Sequence, residues 1–142
     1  VILPDVNVLL YAFRAAAPGH AAYRAWLERT VEGDEAFALS ESVLSAVVRI
    51  ATHPRIFSPP STLTGALEYC AALRAQPTAV LLTPGPRHWD IFARLVVDAN
   101  AKGNLVPDAY LAALAIEHGC ELVTTDRDFA RFPGLRWRHP LA

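Results

Sequence analysis

Short apolar runs alternate along this chain with longer stretches in which apolar residues recur at helical spacing. The first run, Val1 to Pro4, stops on Asp5 and Asn7, either of which can cap a helix beginning with Val8–Phe13. Pro18-Gly19 breaks that helix, and a second runs from about His20 to Thr30 with Ala22, Trp26 and Leu27 on one face. Ala36–Leu39 is a short buried strand. Ser42–Thr52 follows as a helix carrying Val43, Leu44, Val47, Val48 and Ile50, stopped by Pro54. Beyond the Ser58–Ser61 linker, Ser61 or Thr62 caps a helix running to about Ala75. Val80–Leu82 reads as a strand and His88–Ala101 as a helix with Trp89, Phe92 and Leu95 or Val96. Pro107 and Gly119 bracket a helix from about Asp108 to His118. The chain closes with a strand, Glu121–Thr124, a turn at Thr125–Asp128, a helical turn at Phe129–Phe132 and a last strand around Leu135–Trp137. Strands alternating with helices predict an α/β domain, a central, mainly parallel sheet flanked by helices, with residues 1–142 as one unit.

Composition narrows this picture. Hydrophobic residues make up 53% of the chain and the mean hydropathy is +0.23, which predicts many buried helices or an oligomeric face. No apolar run approaches the ~18 residues of a membrane span, and no signal-peptide pattern is present. The initial Val implies a preceding Met outside this numbering. Cys70 and Cys120 stand apart without CxxC or Cys/His spacing, which disfavours zinc and predicts buried thiols in a reducing cytoplasm. Thirteen basic residues against 14 acidic give a net charge of −1. That excludes a broad basic footprint for nucleic acid, but not an acidic catalytic pocket with a local basic rim.

The acids carry the candidate chemistry. Parallel strands present their carboxyl ends to one edge, and Asp5, Glu41 and Asp126 each fall just after a strand. Asp108 opens a helix, where the dipole favours its charge, and joins the others only if the preceding connection brings that helix end to the same edge. Clustered carboxylates repel one another unless a cation neutralises them. All-oxygen donors suit Mg²⁺, or Mn²⁺, with Asn7, Thr124 and Thr125 as supporting hydrogen-bonding groups. Such an ion acidifies bound water and offsets charge on a phosphate, the chemistry of many nucleases. Each acid also has an ordinary reading: Asp5 as a helix cap, Asp108 and Glu41 as first-turn acids, Asp126 and Asp128 as turn residues. A phosphoryl-transfer receiver domain would also cluster acids at a sheet edge. It needs an early acid pair and a late Lys, whereas Asp5-Val6-Asn7 is no such pair and the one Lys is Lys102.

Three segments, Ile2–Ala12, Val106–Ala115 and Glu117–Phe129, resemble the PIN-domain family, and within it VapC toxins, the ribonuclease halves of VapBC toxin–antitoxin modules. Val43–Phe57 is similar to one VapC branch. The resemblance implies a PIN-like α/β fold and a Mg²⁺-dependent endoribonuclease acting on RNA, with transfer or ribosomal RNA suiting the family. It also implies a cognate VapB-type antitoxin and a homodimer. By motif, Asp5, Asp108 and Asp126 become metal ligands and catalytic acids. Many members carry a glutamate near the position of Ala46; here Glu41 is the candidate substitute, as a fourth catalytic acid. The missing glutamate leaves open a site of three acids, one metal rather than two, or a catalytically impaired domain that only binds RNA or a partner. Arg49, His53 and Arg55 are the candidate RNA-binding residues, with Arg14, Arg87, Lys102 and Arg127 as further basic candidates. Trp26, Trp89 and Trp137 read as core or dimer-face residues rather than base-stacking platforms.

Overall fold

The computed structural model describes residues 1–142. In chain order the elements are β1 (Ile2–Pro4), α1 (Val6–Phe13), α2 (His20–Glu32), β2 (Phe37–Ser40), α3 (Glu41–Ala51), α4 (Leu63–Arg74), β3 (Ala79–Leu82), α5 (His88–Asp98), α6 (Leu105–His118), β4 (Glu121–Val123) and β5 (Trp137–Arg138). A 3₁₀ turn spans Arg127–Arg131. The strands form one sheet in the order β3-β2-β1-β4-β5, and every pairing is parallel, so the sheet is wholly rather than mainly parallel. The first strand is thus the central one, with Ile2 opposite Phe37 on one side and Glu121 on the other.

The alternation read from the sequence holds because β1, β2 and β4, at the middle of the sheet, are mostly apolar and buried between helices, while the edge strand β3 is partly exposed. Leu3, Phe37, Leu122 and Val123 are almost wholly buried from the sheet, as are Val8, Leu9, Val47, Leu95 and Ala112 from the helices above it. Truncating Leu3 or Leu122 to Ala should cost ~2–5 kcal/mol. Pro4 fits a central strand because it is the last residue of β1. The missing N–H costs no pairing, and the amide of Asp5 resumes the ladder to the Val123 carbonyl at 2.9 Å.

Several boundaries move for local reasons. α1 starts at Val6, since Asp5 rather than Asn7 caps it: the Asp5 carboxylate accepts the Val6 N–H at 2.7 Å. α6 starts at Leu105, three residues before Asp108. Pro107 sits within its first turn, where an N–H would have no helical partner. Gly119 ends α6 at φ 68°, the left-handed conformation that favours glycine. α5 stops at Asp98 and is followed by Asn100 at φ 47°. The last strand is Trp137–Arg138, aligned with Leu122 and Val123. Both cysteines are free, buried thiols. No helix is long and apolar enough to cross a membrane.

Candidate active site

β1 and β4 lie side by side, and the residues that follow them meet at the carboxyl edge. Asp5 is held there at three points. Its amide pairs with β4, one carboxylate oxygen accepts the Val6 N–H, and the other accepts the Thr124 hydroxyl at 2.7 Å. Thr124 is fully buried. Its hydroxyl oxygen also accepts the Asp126 N–H at 3.0 Å, so one side chain ties the end of β1 to the turn after β4. Asp126 caps the 3₁₀ turn by accepting the Asp128 N–H at 2.8 Å.

Asp108 arrives by the route that the sequence left open. Residues 99–104 fold α6 back against α5, which delivers the first turn of α6 to the cleft that Asp5 lines. Burial is the main force raising the Asp108 carboxyl to about 6, followed by the charges of Asp5, Asp126 and Asp128. Asp5 is also raised, first by burial; the Thr124 and Val6 hydrogen bonds oppose this, and the charge of Asp126 adds to it. None of the ion pairs in the chain involves Asp5, Asp108 or Asp126. The cluster is therefore a concentration of negative charge without an internal counter-ion.

The cleft has a volume of about 600 Å³. One wall is α3, through Ser42, Ala46 and Arg49; the other is the α5–α6 pair, through Phe92, Asn104, Val106, Pro107 and Tyr110. Asp126 stands beside this cleft rather than on its wall, near enough for its charge to act on both other acids. No three His, Cys, Asp or Glu side chains close on a single point as a ready-made cage. The donor set nevertheless fits a hard divalent cation: the acids are oxygen donors lacking a cationic partner. Mg²⁺ uses only one or two carboxylates directly and keeps water for the rest.

Glu41 is placed elsewhere. Successive helical residues turn by about 100°, so Ser42 and Ala46 face the cleft while Glu41, Leu44, Ser45 and Val48 face α4, and Arg49 borders both. There the exposed Glu41 carboxylate lies 3.7 Å from Arg74, beside a groove of about 920 Å³ between α3 and α4. Ala46, at the position expected for the family glutamate, does line the acid cleft. Among the supporting groups, Thr124 makes the bonds described. Asn7 lies half-buried in the first turn of α1, and Thr125 half-buried after β4.

The basic candidates divide in the same way. Arg49 lines the cleft. His53 accepts the Arg55 N–H at 3.1 Å, closing the turn after α3, and leaves Arg55 exposed. Arg14 is engaged internally: it donates to Ser61 and Pro59 and stacks on Phe57 at 4.3 Å. Arg87 donates to the Glu117 carbonyl. Phe92, Tyr110, Asn104 and Ser42 also belong to the cleft, although the sequence singled none of them out for it. Phe92 was visible there only as part of an apolar pattern.

A family model described as the PIN domain matches residues 2–135. The chain is 47% identical over 137 residues to the VapC ribonuclease Mb2897 of Mycobacterium bovis, covering 96% of this chain and 93% of that one. It is 41% identical over 140 residues to ribonuclease VapC25 of Mycobacterium tuberculosis, covering 99% of each. Two solved structures share the fold. VapBC2 from Rickettsia felis, bound to a DNA fragment from its promoter, superposes with a TM-score of 0.72 at 18% identity over 97% of both chains. Mycobacterium tuberculosis VapC20, a sarcin–ricin loop cleaving toxin, gives 0.65 at 17% identity over 96% of this chain and 99% of the other.

Proposed function

Because the chain belongs to the PIN-domain family and, within it, to the VapC ribonucleases, we propose that it is a Mg²⁺-dependent endoribonuclease, the toxin of a toxin–antitoxin pair. The observation that carries this reading is the meeting of Asp5, Asp108 and Asp126 at one sheet edge with no cationic side chain in ion-pair contact with them. These three acids would hold the ion, Mg²⁺ or Mn²⁺. When bound, it supplies a lowered water pKa and relief of charge on the attacked phosphate.

The remaining work falls to the chain itself. Thr124 and the Val6 amide fix the rotation of the Asp5 carboxylate, so that its remaining lone pairs face the cleft in one orientation. The Thr124 contact to the Asp126 amide sets the height of the turn relative to Asp5. Arg49, on the facing wall, is placed to take a neighbouring phosphate of the RNA and so orient the backbone for in-line attack by water, leaving 5′-phosphate and 3′-hydroxyl ends. A structured RNA such as transfer or ribosomal RNA is the proposed substrate class. The description of VapC20 as cleaving the sarcin–ricin loop supports it. A VapB-type antitoxin is the proposed partner, supported by the VapBC complexes among the structural neighbours, and a homodimer the proposed assembly.

Ala46 favours one second reading, a domain that binds RNA or a partner without cutting, because it leaves α3 with no carboxylate on the cleft. Incubating total RNA with the protein, in Mg²⁺ and in chelator, separates the two. Discrete cuts that need the ion and vanish in Asp5→Ala support the nuclease. An absence of cutting with retained RNA binding selects the binding module.

A further inference from the structure

The acid cleft continues outward as a row of aromatic rings. Phe92 and Tyr110 lie on its wall, their centroids 5.6 Å apart and their planes at 70°. Trp89 follows one turn before Phe92 on α5, 5.2 Å from it and tilted by 50°. Behind them, the buried ring of His88 packs on Tyr110 at 4.3 Å and bonds its carbonyl at 2.9 Å, which anchors the row to α6. Exposure rises along the row from the half-buried Phe92 to Trp89 at 66%. An indole left this open forgoes most of the burial that normally stabilises it. In none of these pairs are the rings stacked face to face.

We infer that Trp89, Phe92 and Tyr110 form a base-stacking shelf, which holds unpaired bases of single-stranded RNA next to the phosphate presented to Asp5 and Asp108. The inference rests on the ribonuclease reading and deepens it. Unpaired bases stack on aromatic side chains whatever their identity, whereas bases within a helix are already stacked and cannot reach such a shelf. The shelf therefore selects unpaired segments over duplex. Arg49 across the cleft supplies the backbone contact that base stacking lacks. A net charge of −1 leaves little long-range attraction for phosphate, so stacking has a larger share in affinity than in a basic RNA-binding domain.

The test uses the full chain in Ca²⁺, with a fluorescently labelled single-stranded RNA of mixed sequence, an abasic strand of equal length, and the same RNA annealed to its complement. Binding is expected in the order single strand, then abasic strand or duplex. Trp89→Ala should weaken single-strand binding about tenfold and leave the abasic strand unchanged; Trp89→Phe should restore most of the loss. Phe92→Leu should act in the same direction, with the melting temperature checked to set aside misfolding. Equal losses on base-bearing and abasic strands, or none on either, overturn the shelf. So does a wild-type protein that binds no RNA, or a Trp89→Ala variant that turns a dimer into a monomer, which assigns the face to a second copy. Cleavage by the wild type, assayed separately in Mg²⁺, distinguishes failure of the nuclease reading from failure of the shelf.

Discussion

Asp108, in the first turn of α6, and Glu117, in its last, are acids on one helix, about 13 Å apart along its axis. Both are withdrawn from water, yet their carboxyls move in opposite directions. For Glu117, burial pushes upward but is outweighed by N–H donation from Gly85 at 2.7 Å and Arg87 at 2.9 Å, with His118 and His88 adding favourable charge. Its carboxyl ends below the usual range and pins the connection between β3 and α5. For Asp108, burial also pushes upward, and the neighbouring charges of Asp5, Asp126 and Asp128 push the same way, to about 6. One acid is satisfied by the fold, and the other is kept unsatisfied by it. An unsatisfied acid in a cleft is what a ligand-binding site requires and what a stable fold avoids.

The comparison breaks most visibly at Asp108. Asp108→Asn should remove more activity on RNA than the roughly 10- to 100-fold typical of a residue that only supports a metal ligand. The same variant should melt higher than wild type in chelator at neutral pH, by about 1 kcal/mol of stability after allowing for solvent screening. The sign follows from the raised folded value. Ionisation of Asp108 is penalised in the native state, so the penalty is absent below about pH 4, grows through pH 6 and is full above it. Denaturant melts at pH 4 and pH 7.5 check this, and a gain equal at both values would remove Asp108 as its source.

Glu117→Ala should do the reverse, costing ~1–3 kcal/mol by leaving the part-buried Gly85 N–H without its charged acceptor while the exposed Arg87 N–H turns to water, and activity per folded molecule stays near wild type. The contribution of Glu117 is present above its unfolded pKa, near 4.5, and is lost as pH falls through its lower folded value. Thr124→Val sharpens the contrast between holding an acid and being one. It should cost ~1–2 kcal/mol and reduce cleavage by ~10-fold or more, since Asp5 and Asp126 both lose their support. The smallest effect belongs to Glu41→Ala. Its exposed pair with Arg74 is worth under ~1 kcal/mol, and side-by-side RNA digestion should show cutting within about twofold of wild type, as expected for a surface pair remote from the acids.

Asp5 could be placed from the sequence because a strand ending on an acid puts it at the sheet edge whatever its neighbours do. The convergence of Asp108 could not, because it depends on how residues 99–104 fold α6 back on α5, and no local pattern encodes that path. The reading of Glu41 as a candidate rested on its place after a strand. Helical phase decides instead: one residue's rotation, about 100°, separates Glu41 on the α4 side from Ser42 on the cleft side. Trp89 follows the apolar rhythm of α5 but lies largely exposed, since periodicity marks a face without saying whether anything covers it. Arg14 stands near the end of α1 in sequence, and only the return of Ser61 and Pro59 from a distant segment shows that it is structural.

The central position of β1 has a consequence for synthesis. Its partner in β4 lies near the other end of the chain: Ile2 faces Glu121, and Asp5 receives the Thr124 hydroxyl across 119 positions. During translation the amino-terminal strand emerges first but cannot gain its second neighbour until the last fifth of the chain has left the ribosome. Contacts so distant in sequence form late because the intervening loop must first be closed. An interrupted nascent chain would carry Asp5 and even Asp108 without the strand that brings them into register. The acid cleft is therefore assembled only once β4 and the turn after it are available to pair with β1.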